Sequence, residues 1–421
     1  MPYTPPIEEQ KFVLRHVVGI EELGGGNAFP DATLDTVDAI VEGAGDFAAG
    51  EWAPLNRTGD TVGAKWSADG VTMPEGFHAA YRAYVEGGWG AIAAPASHGG
   101  MGLPQVLATV VLEDLGSANM GFSLCPMLSA GAIEALKHHG TAEQQDRWLP
   151  KLISGEWTGT MNLTEPQAGS DVGALKSRAE PIGNGLYRIK GQKIFITYGD
   201  HDLTDNIVHL VLARLPDAPP GTKGISLFLV PKFFVNDDGS LGKRNDVRCQ
   251  SLEHKIGIHA SPTCVMVHGD QGGSTGWLIG EENKGLNCMF TMMNQARLAV
   301  GVQGVAIAER ATQQALQFSR ERKQGKAPGS KDLSPIGDHP DVKRMLMTMR
   351  ALTNASRAIC LRTASALDRA SNATDANEKK QANEEASLLT PIAKSFSSDA
   401  GNEVASLGVQ VHGGMGFIEE T

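Results

Sequence analysis

The hydrophobic repeat changes period twice along this chain of 421 residues, and that change restricts the fold more than any other feature. From Asp31 the apolar positions Leu34, Val37, Ile40, Val41, Ala44, Phe47 and Ala48 recur every three or four residues, as on one face of a helix, with Asp31 placed to cap its start. Further helices are expected at 75–86, 103–115 and 128–139, with a tight turn at Gly99-Gly100-Met101-Gly102. Thr141-Ala142-Glu143-Gln144 has the pattern of a capping box that opens a helix through Trp148 to Ile153. From Trp157 to about Asp270 the period drops to two, with short apolar runs such as 207–213, 224–231 and 264–268 bounded by Gly, Pro, Asn and Asp clusters. After Gly285 the helical period returns in three long stretches, 286–323, 342–370 and 381–411. Gly301 and Gly304 in the first of them lower helix propensity but permit close backbone approach. The chain is therefore α+β in segregated blocks. We expect an N-terminal arm (1–30, ending in Gly24-Gly25-Gly26), an N-terminal helical domain (31–155), a central β-barrel-like domain (156–270) and a C-terminal long-helix bundle (271–421).

A chain this long can bury a large core without extra staples. Its five cysteines are odd in number and lack any C-x-x-C spacing, which argues for reduced, buried thiols in the cytoplasm and against structural zinc. The net charge of −11 argues against a general nucleic-acid surface. No run of about 18 apolar residues suggests a membrane helix, and the first residues, rich in proline and acid, do not read as a signal peptide. Neither a P-loop nor a Rossmann glycine pattern is present, so a nucleotide cofactor would need another kind of seat.

The stretch 157–199 offers one. Trp157 to Thr164 reads as a strand with one buried face, broken at Glu165-Pro166-Gln167-Ala168-Gly169-Ser170-Asp171. Pro166 stops the ladder there and Gly169 is free to take a positive φ. Such a loop can aim backbone N–H groups and the hydroxyls of Thr164 and Ser170 at one ligand. A strand pair with a turn at Gly191 follows, bringing Phe195 and Thr197 into the same neighbourhood.

The T-E-P-x-A-G-S-D run followed by G-Q-K-x-x-I-T resembles the two flavin-contacting segments of the acyl-CoA dehydrogenase family, in order and spacing, and the resemblance covers nearly the whole chain from residue 31. It implies the acyl-CoA dehydrogenase fold, with FAD between the central domain and the C-terminal bundle. Met161, Leu163 and Thr164 would line the ring system, Gly169 and Ser170 would approach the pyrophosphate or the substrate's pantetheine arm, Phe195 would stack where many members have tryptophan, and Thr197 would supply a hydroxyl. By the same resemblance Arg322 would reach the pyrophosphate of a neighbouring subunit's cofactor, although Gly325 stands near the usual aromatic. Gln410 and Gly414, in Q-x-x-G-G-x-G-[FY], would contact the adenine end of a partner's flavin. Asn294 and Arg297 fall where members bind CoA or shape the acyl pocket. Read from the residues alone, Phe195 has the alternative of a core side chain, 320–326 of a solvated basic helix end, and Asn294 with Arg297 of a surface pair.

The implied reaction is α,β-dehydrogenation of an acyl-CoA thioester, with electrons leaving to an electron-transfer flavoprotein from a homodimer or homotetramer. The usual base is a glutamate in a Y-E-G-T segment beyond the glycine turn, and this sequence ends at Glu419-Glu420-Thr421, so no catalytic residue is named and the chain reads as a fragment. K-I-G-I-H-A-S-P-T (255–263) and H-G-G-M-G-F-I-E-E-T look most similar to the 3-methylmercaptopropionyl-CoA dehydrogenase type, whose members are longer. An oxygen-using acyl-CoA oxidase and a catalytically incomplete flavin- or CoA-binding fragment remain as alternatives.

Overall fold

The computed structural model describes residues 2–24 and 28–419, so Gly25 and Gly26 of the expected glycine cluster and the last two residues lie outside it. Contacts group the chain into two units: Met1–Pro54, Leu103–Met120 and Arg297–Thr421 form one, Leu55–Gly102 and Gly121–Ala296 the other.

Residues 7–18 and 20–24 of the expected N-terminal arm are helical. They form α1 (Ile7–Val13), a wider π-helical turn and α2 (Ile20–Gly24). Tyr3 and Gln10 are buried and donate to the same Asp114 oxygen, each at 2.8 Å. Helix α3 (Leu34–Phe47) is capped by Thr33, whose hydroxyl accepts from the Thr36 N–H, and not by Asp31. Val37, Val41 and Ala44 bury one stripe, as the period requires. Helices α4 (Asn56–Val62), α5 (Phe77–Glu86), α6 (Gln105–Ala118), α7 (Met120–His139) and α8 (Ala142–Ser154) follow, with a small hairpin of β1 (Lys65–Ser67) and β2 (Gly70–Thr72) after α4. Helix α7 starts well before the expected residue 128 and continues through Pro126. The capping box is present, with Thr141 and Gln144 bonded reciprocally.

In the second unit β3 (Trp157–Asn162), β4 (Arg178–Gly183), β5 (Leu186–Thr197), β6 (Asn206–Ala213) and β7 (Ser226–Pro231) are followed by the hairpin β8 (Phe233–Val235) and β9 (Leu241–Arg244), then β10 (Val247–Leu252), β11 (Thr263–His268) and β12 (Ser274–Ile279). The main sheet runs β10-β11-β5-β12-β7-β6-β3, with β4 also on β5; β3 and β6 pair in parallel and its other neighbouring strands, among the described residues, antiparallel. Gly191 makes no turn. It lies extended inside the twelve-residue β5, where pairing passes from β12 and β4 (186–190) to β11 (191–197). A Cβ at Gly191 would fall 2.1 Å from the Ser177 hydroxyl, so glycine lets the strand curl there. Trp148 of α8 meets Trp157 and Trp277 at ring distances of 5.6 and 5.9 Å, sealing the helix against the sheet.

Three long helices close the chain: α9 (Gly285–Glu321), α10 (Pro340–Asn372) and α11 (Ala376–His412). Gly304 is where α9 and α11 touch through backbone, since a Cβ there would lie 2.0 Å from the Ser397 carbonyl oxygen. Arg357 of α10 is fully buried between Glu113 and Glu309, each 2.7 Å away. Asp368 caps α6 from outside the helix, accepting from the N–H groups of Gln105 and Val106.

Candidate functional site

The loop after β3 is held by a buried ion pair. Ala168 and Glu165 exchange backbone hydrogen bonds of 2.9 and 3.1 Å across Pro166, closing a reverse turn. The Glu165 carboxylate turns inward and accepts from Ser177 N–H (3.0 Å), the Ser177 hydroxyl (2.6 Å), Lys176 N–H (2.7 Å) and the Gln167 amide (2.6 Å). Lys193 of β5, with no exposed side-chain surface, donates to Glu165 at 2.8 Å and to the Leu163 carbonyl at 3.0 Å. Burial raises the Glu165 pKa, but the Lys193 charge and the donors outweigh it and hold the carboxyl at about 2. Burial pulls the Lys193 ammonium down, and Glu165 offsets part of that.

Thr164 sits inside this clamp, its carbonyl accepting from Ile194 N–H at 2.9 Å. Gly169 stands beside it, but without the positive φ expected of it. A Cβ at Gly169 would make only an ordinary 3.8 Å contact with the Thr164 methyl, so the protein's own packing does not require glycine there. Ser170 is exposed next door. On β5 the ladder slips between Lys193↔Met266 and Ile196↔Cys264, which makes a bulge. Phe195 at that bulge has φ 60 and is 58% exposed, and Thr197 regains its pairing with Thr263. A phenylalanine in the left-handed region, facing outward, is a strained arrangement that the core does not explain. Met161 and Leu163 rest half-buried against the main core of the unit. Met161, Leu163, Thr164, Gly169, Ser170, Phe195 and Thr197 thus all lie in the second unit, on β3, the loop after it and β5. Among the described residues the hydroxyls of Thr164, Ser170 and Thr197 have no recorded hydrogen-bond partner; three hydroxyls and one outward ring are groups that could bond to and stack on a flat heteroaromatic ligand.

Behind the seat, the polar residues of β3 are buried instead of facing solvent. Thr158, Thr160 and Asn162 each meet a buried histidine: His201 at 2.9 Å, His209 at 2.9 Å and His268 at 3.3 Å. His201 Nδ1 accepts from Leu203 N–H, so its Nε2 carries the proton towards Thr158. Asn162 donates to Thr160 at 2.7 Å, which leaves the Thr160 proton for His209. Burial, the largest cause in each, lowers all three imidazoles, with His201 and His268 at about 3, so they are neutral at pH 7. Neither this ladder nor the Glu165–Lys193 pair is foreseen from the sequence, although a lysine among the strand residues 192–197 was a signal for a buried partner.

The remaining candidates lie on or at the ends of the long helices and in the glycine turn. Asn294 and Arg297 are exposed positions on α9. In the first unit the Phe318 ring stacks on His412 with centroids 4.5 Å apart, which brings the end of α9 beside the glycine turn. Arg322 and Gln410 are exposed there, Arg322 donates to Gln324 at 2.7 Å, and a Cβ at Gly414 would meet nothing within 4 Å.

Comparison with known proteins agrees with this layout. Family models for the N-terminal, middle and C-terminal domains of acyl-CoA dehydrogenase match residues 35–156, 160–270 and 283–421. The chain is 49% identical over its full length to 3-methylmercaptopropionyl-CoA dehydrogenase of Ruegeria pomeroyi, covering 71% of that protein. It is 36% identical to a butyryl-CoA dehydrogenase of Syntrophomonas wolfei over 99% of its length and 70% of the relative's. Among solved structures, an acyl-CoA dehydrogenase of Bacillus anthracis complexed with FAD superposes with a TM-score of 0.75 at 25% identity, over 93% of this chain and 62% of the other. Butyryl-CoA dehydrogenase of Megasphaera elsdenii gives 0.73 at 23% identity, over 92% and 91%, which is a likeness of fold. With all three domain models matched in order and half of its residues identical to those of a full-length relative, the chain belongs to the acyl-CoA dehydrogenase family.

Proposed function

We propose that this flavoprotein uses FAD to dehydrogenate an acyl-CoA thioester between Cα and Cβ and passes the electrons to an electron-transfer flavoprotein, acting in the cytoplasm. A short, sulfur-bearing 3-methylmercaptopropionyl chain is the favoured acyl group. The observation that carries the reading is the 49% identity over the whole chain. We further propose the domain boundaries near residues 30, 155 and 270.

FAD, when bound, supplies the acceptor for the substrate's β-hydride. Thr164 and Thr197 would offer hydroxyl hydrogen bonds to its polar edge, Met161 and Leu163 an apolar floor, and Phe195 an aromatic face. Gly169 and Ser170 would approach the pyrophosphate, and Ser170 also the substrate's pantetheine arm. Asn294 and Arg297 would serve the CoA thioester. Arg322, Gln410 and Gly414 would serve the cofactor of a second copy, in a homodimer or homotetramer. Glu165 is not proposed as the acceptor of the α-proton, because Lys193 and four further donors already occupy its carboxylate.

The test is anaerobic titration of the purified yellow protein with 3-methylmercaptopropionyl-CoA and with butyryl-CoA, followed at the flavin absorption band. Bleaching by the first at lower concentration is expected. Purification without flavin and failure to take it up would defeat the proposal, while bleaching with equal preference would remove only the choice of acyl group. Rapid peroxide formation in air would favour the oxidase reading.

A further inference from the structure

We infer that the buried Lys193–Glu165 ion pair is the positioning pair of the cofactor seat: it fixes where Thr164 stands, and through Thr164 how tightly a flavin is held. The inference rests on the functional reading above and concerns two residues to which that reading gives no role.

One ammonium group spans both neighbours of Thr164. Lys193 Nζ bonds the carbonyl of Leu163 and the carboxylate of Glu165, while the next residue of β5 bonds Thr164 itself through Ile194 N–H. Three successive residues of the loop are therefore tied to two successive residues of one strand. The strand continues directly into the bulge that turns Phe195 outward. The same short segment, 193–195, thus sets the position of the hydroxyl and of the aromatic ring together. The other side of the clamp is equally constrained, since Glu165 is gripped by Ser177, Lys176 and Gln167. It can shift only if the 165–177 loop shifts with it.

Stability alone is a poor reason for such a pair. Two charges withdrawn from water gain little over apolar side chains of similar volume, whereas removing one partner is costly because the other stays buried and bare. What a pair of this kind supplies is a defined geometry, and here the geometry is that of the loop presenting Thr164. Lys193 and Glu165 touch no reacting atom in this account, so they are positioning residues and not catalytic ones.

The experiment reads FAD affinity and apoprotein stability separately. Apoprotein of the full chain is titrated with FAD by flavin fluorescence quenching, and its thermal unfolding is recorded without flavin. The double variant Glu165→Gln/Lys193→Met leaves no charge unpaired. It is expected to unfold within a few degrees of wild type yet to bind FAD at least about tenfold more weakly. Thr164→Ala should weaken binding in the wild-type background but add less than about twofold in the double variant, because the misplaced hydroxyl no longer contributes. Equal losses from Thr164→Ala in both backgrounds, or an unchanged Kd in the double variant, would overturn the inference. Should the double variant not fold, Ser177→Ala takes its place, removing one donor from Glu165 without baring a charge. Weaker FAD binding in a variant that still folds, with a melting temperature lowered by a few degrees, is then expected, and an unchanged Kd overturns the inference. A wild-type apoprotein that takes up no FAD brings down the functional reading as well; unaffected variants of a flavin-binding wild type bring down the positioning role alone.

Discussion

Replacing Phe195 by glycine separates a core role from a cofactor-facing one, because the stability terms nearly cancel. Phe195 is 58% exposed, so a little under half of its surface is covered. Full burial of a phenylalanine contributes about 1.5–3 kcal/mol, so the covered part contributes about 1 kcal/mol, which glycine loses. Glycine also costs roughly 0.5–1 kcal/mol through its freer unfolded chain. Against this, φ 60 at a residue bearing a Cβ costs about 1–2 kcal/mol, and glycine relieves it. The sum lies within about 1 kcal/mol of zero, a shift of roughly 2–4 °C for a unit of this size. Phe195→Ala keeps most of the strain and loses the ring, so it should melt below Phe195→Gly. Flavin affinity has no such cancellation. An aromatic stacking contact contributes about 0.5–1.5 kcal/mol beyond area, so both variants should bind FAD several-fold to about tenfold more weakly. The assay is thermal unfolding of apoprotein beside FAD titration. A glycine variant destabilised by more than about 3 kcal/mol would show that the ring supports the core, and an unchanged FAD Kd would remove it from the seat.

Asp114→Asn is expected to flatten the pH dependence of stability. Burial first, then the neighbouring Glu113, push the Asp114 carboxyl up to about 8. A raised carboxyl favours the folded state fully below the unfolded pKa near 4, and that contribution disappears as pH rises towards 8, by up to about 5 kcal/mol. Asparagine keeps the oxygen to which Tyr3 and Gln10 donate, so wild type should lose melting temperature between pH 4 and 9 and the variant much less; parallel curves would refute the assignment. Gly304→Ala should destabilise by about 1–3 kcal/mol or more, since its methyl would lie 2.0 Å from the Ser397 carbonyl oxygen, and an unaltered melting temperature would contradict the close α9–α11 contact. Arg322→Ala should leave apoprotein stability unchanged, because the side chain is exposed, but lower flavin retention about tenfold or more if its charge-assisted bond serves a neighbouring copy. Unchanged flavin content would return Arg322 to a solvated helix end.

Periodicity made the block order legible because each helix and each inner strand buries a stripe that its own spacing displays. The capping box at Thr141 and the close approach at Gly304 were legible for the same reason: each is a local requirement written in adjacent residue types. Gly191 was misread because glycine marks both a turn and a place where another chain segment presses on a strand, and the segment responsible, Ser177, is not a neighbour in sequence. The true cap of α3, Thr33, lies two residues from the expected Asp31, and both are residue types that cap well. From motifs, candidate seat residues from Met161 to Thr197 could be proposed. What holds them in place could not, because Glu165 and Lys193 are 28 residues apart and each is, taken singly, an ordinary surface residue type.

The β3 strand shows why that hidden support matters. Alternation predicts Thr158, Thr160 and Asn162 on a solvated face, yet all three are buried against histidines kept neutral by the same burial. His209 Nε2 and His268 Nδ1 remain buried without a partner, but each β3 side chain meets its own imidazole, and a register slip would forfeit all three contacts. The strand leading to Thr164 is thereby fixed on one face by hydrogen bonds and on the other by Met161 and the core, and the ion pair takes over where the strand ends. A seat built this way pre-orders its hydroxyls before any ligand arrives, so less ordering remains to be done on binding. Loosening β3 through Thr160→Val should therefore weaken FAD binding by several-fold even though residue 160 does not line the seat. Full affinity in that variant would show that the loop clamp alone is sufficient.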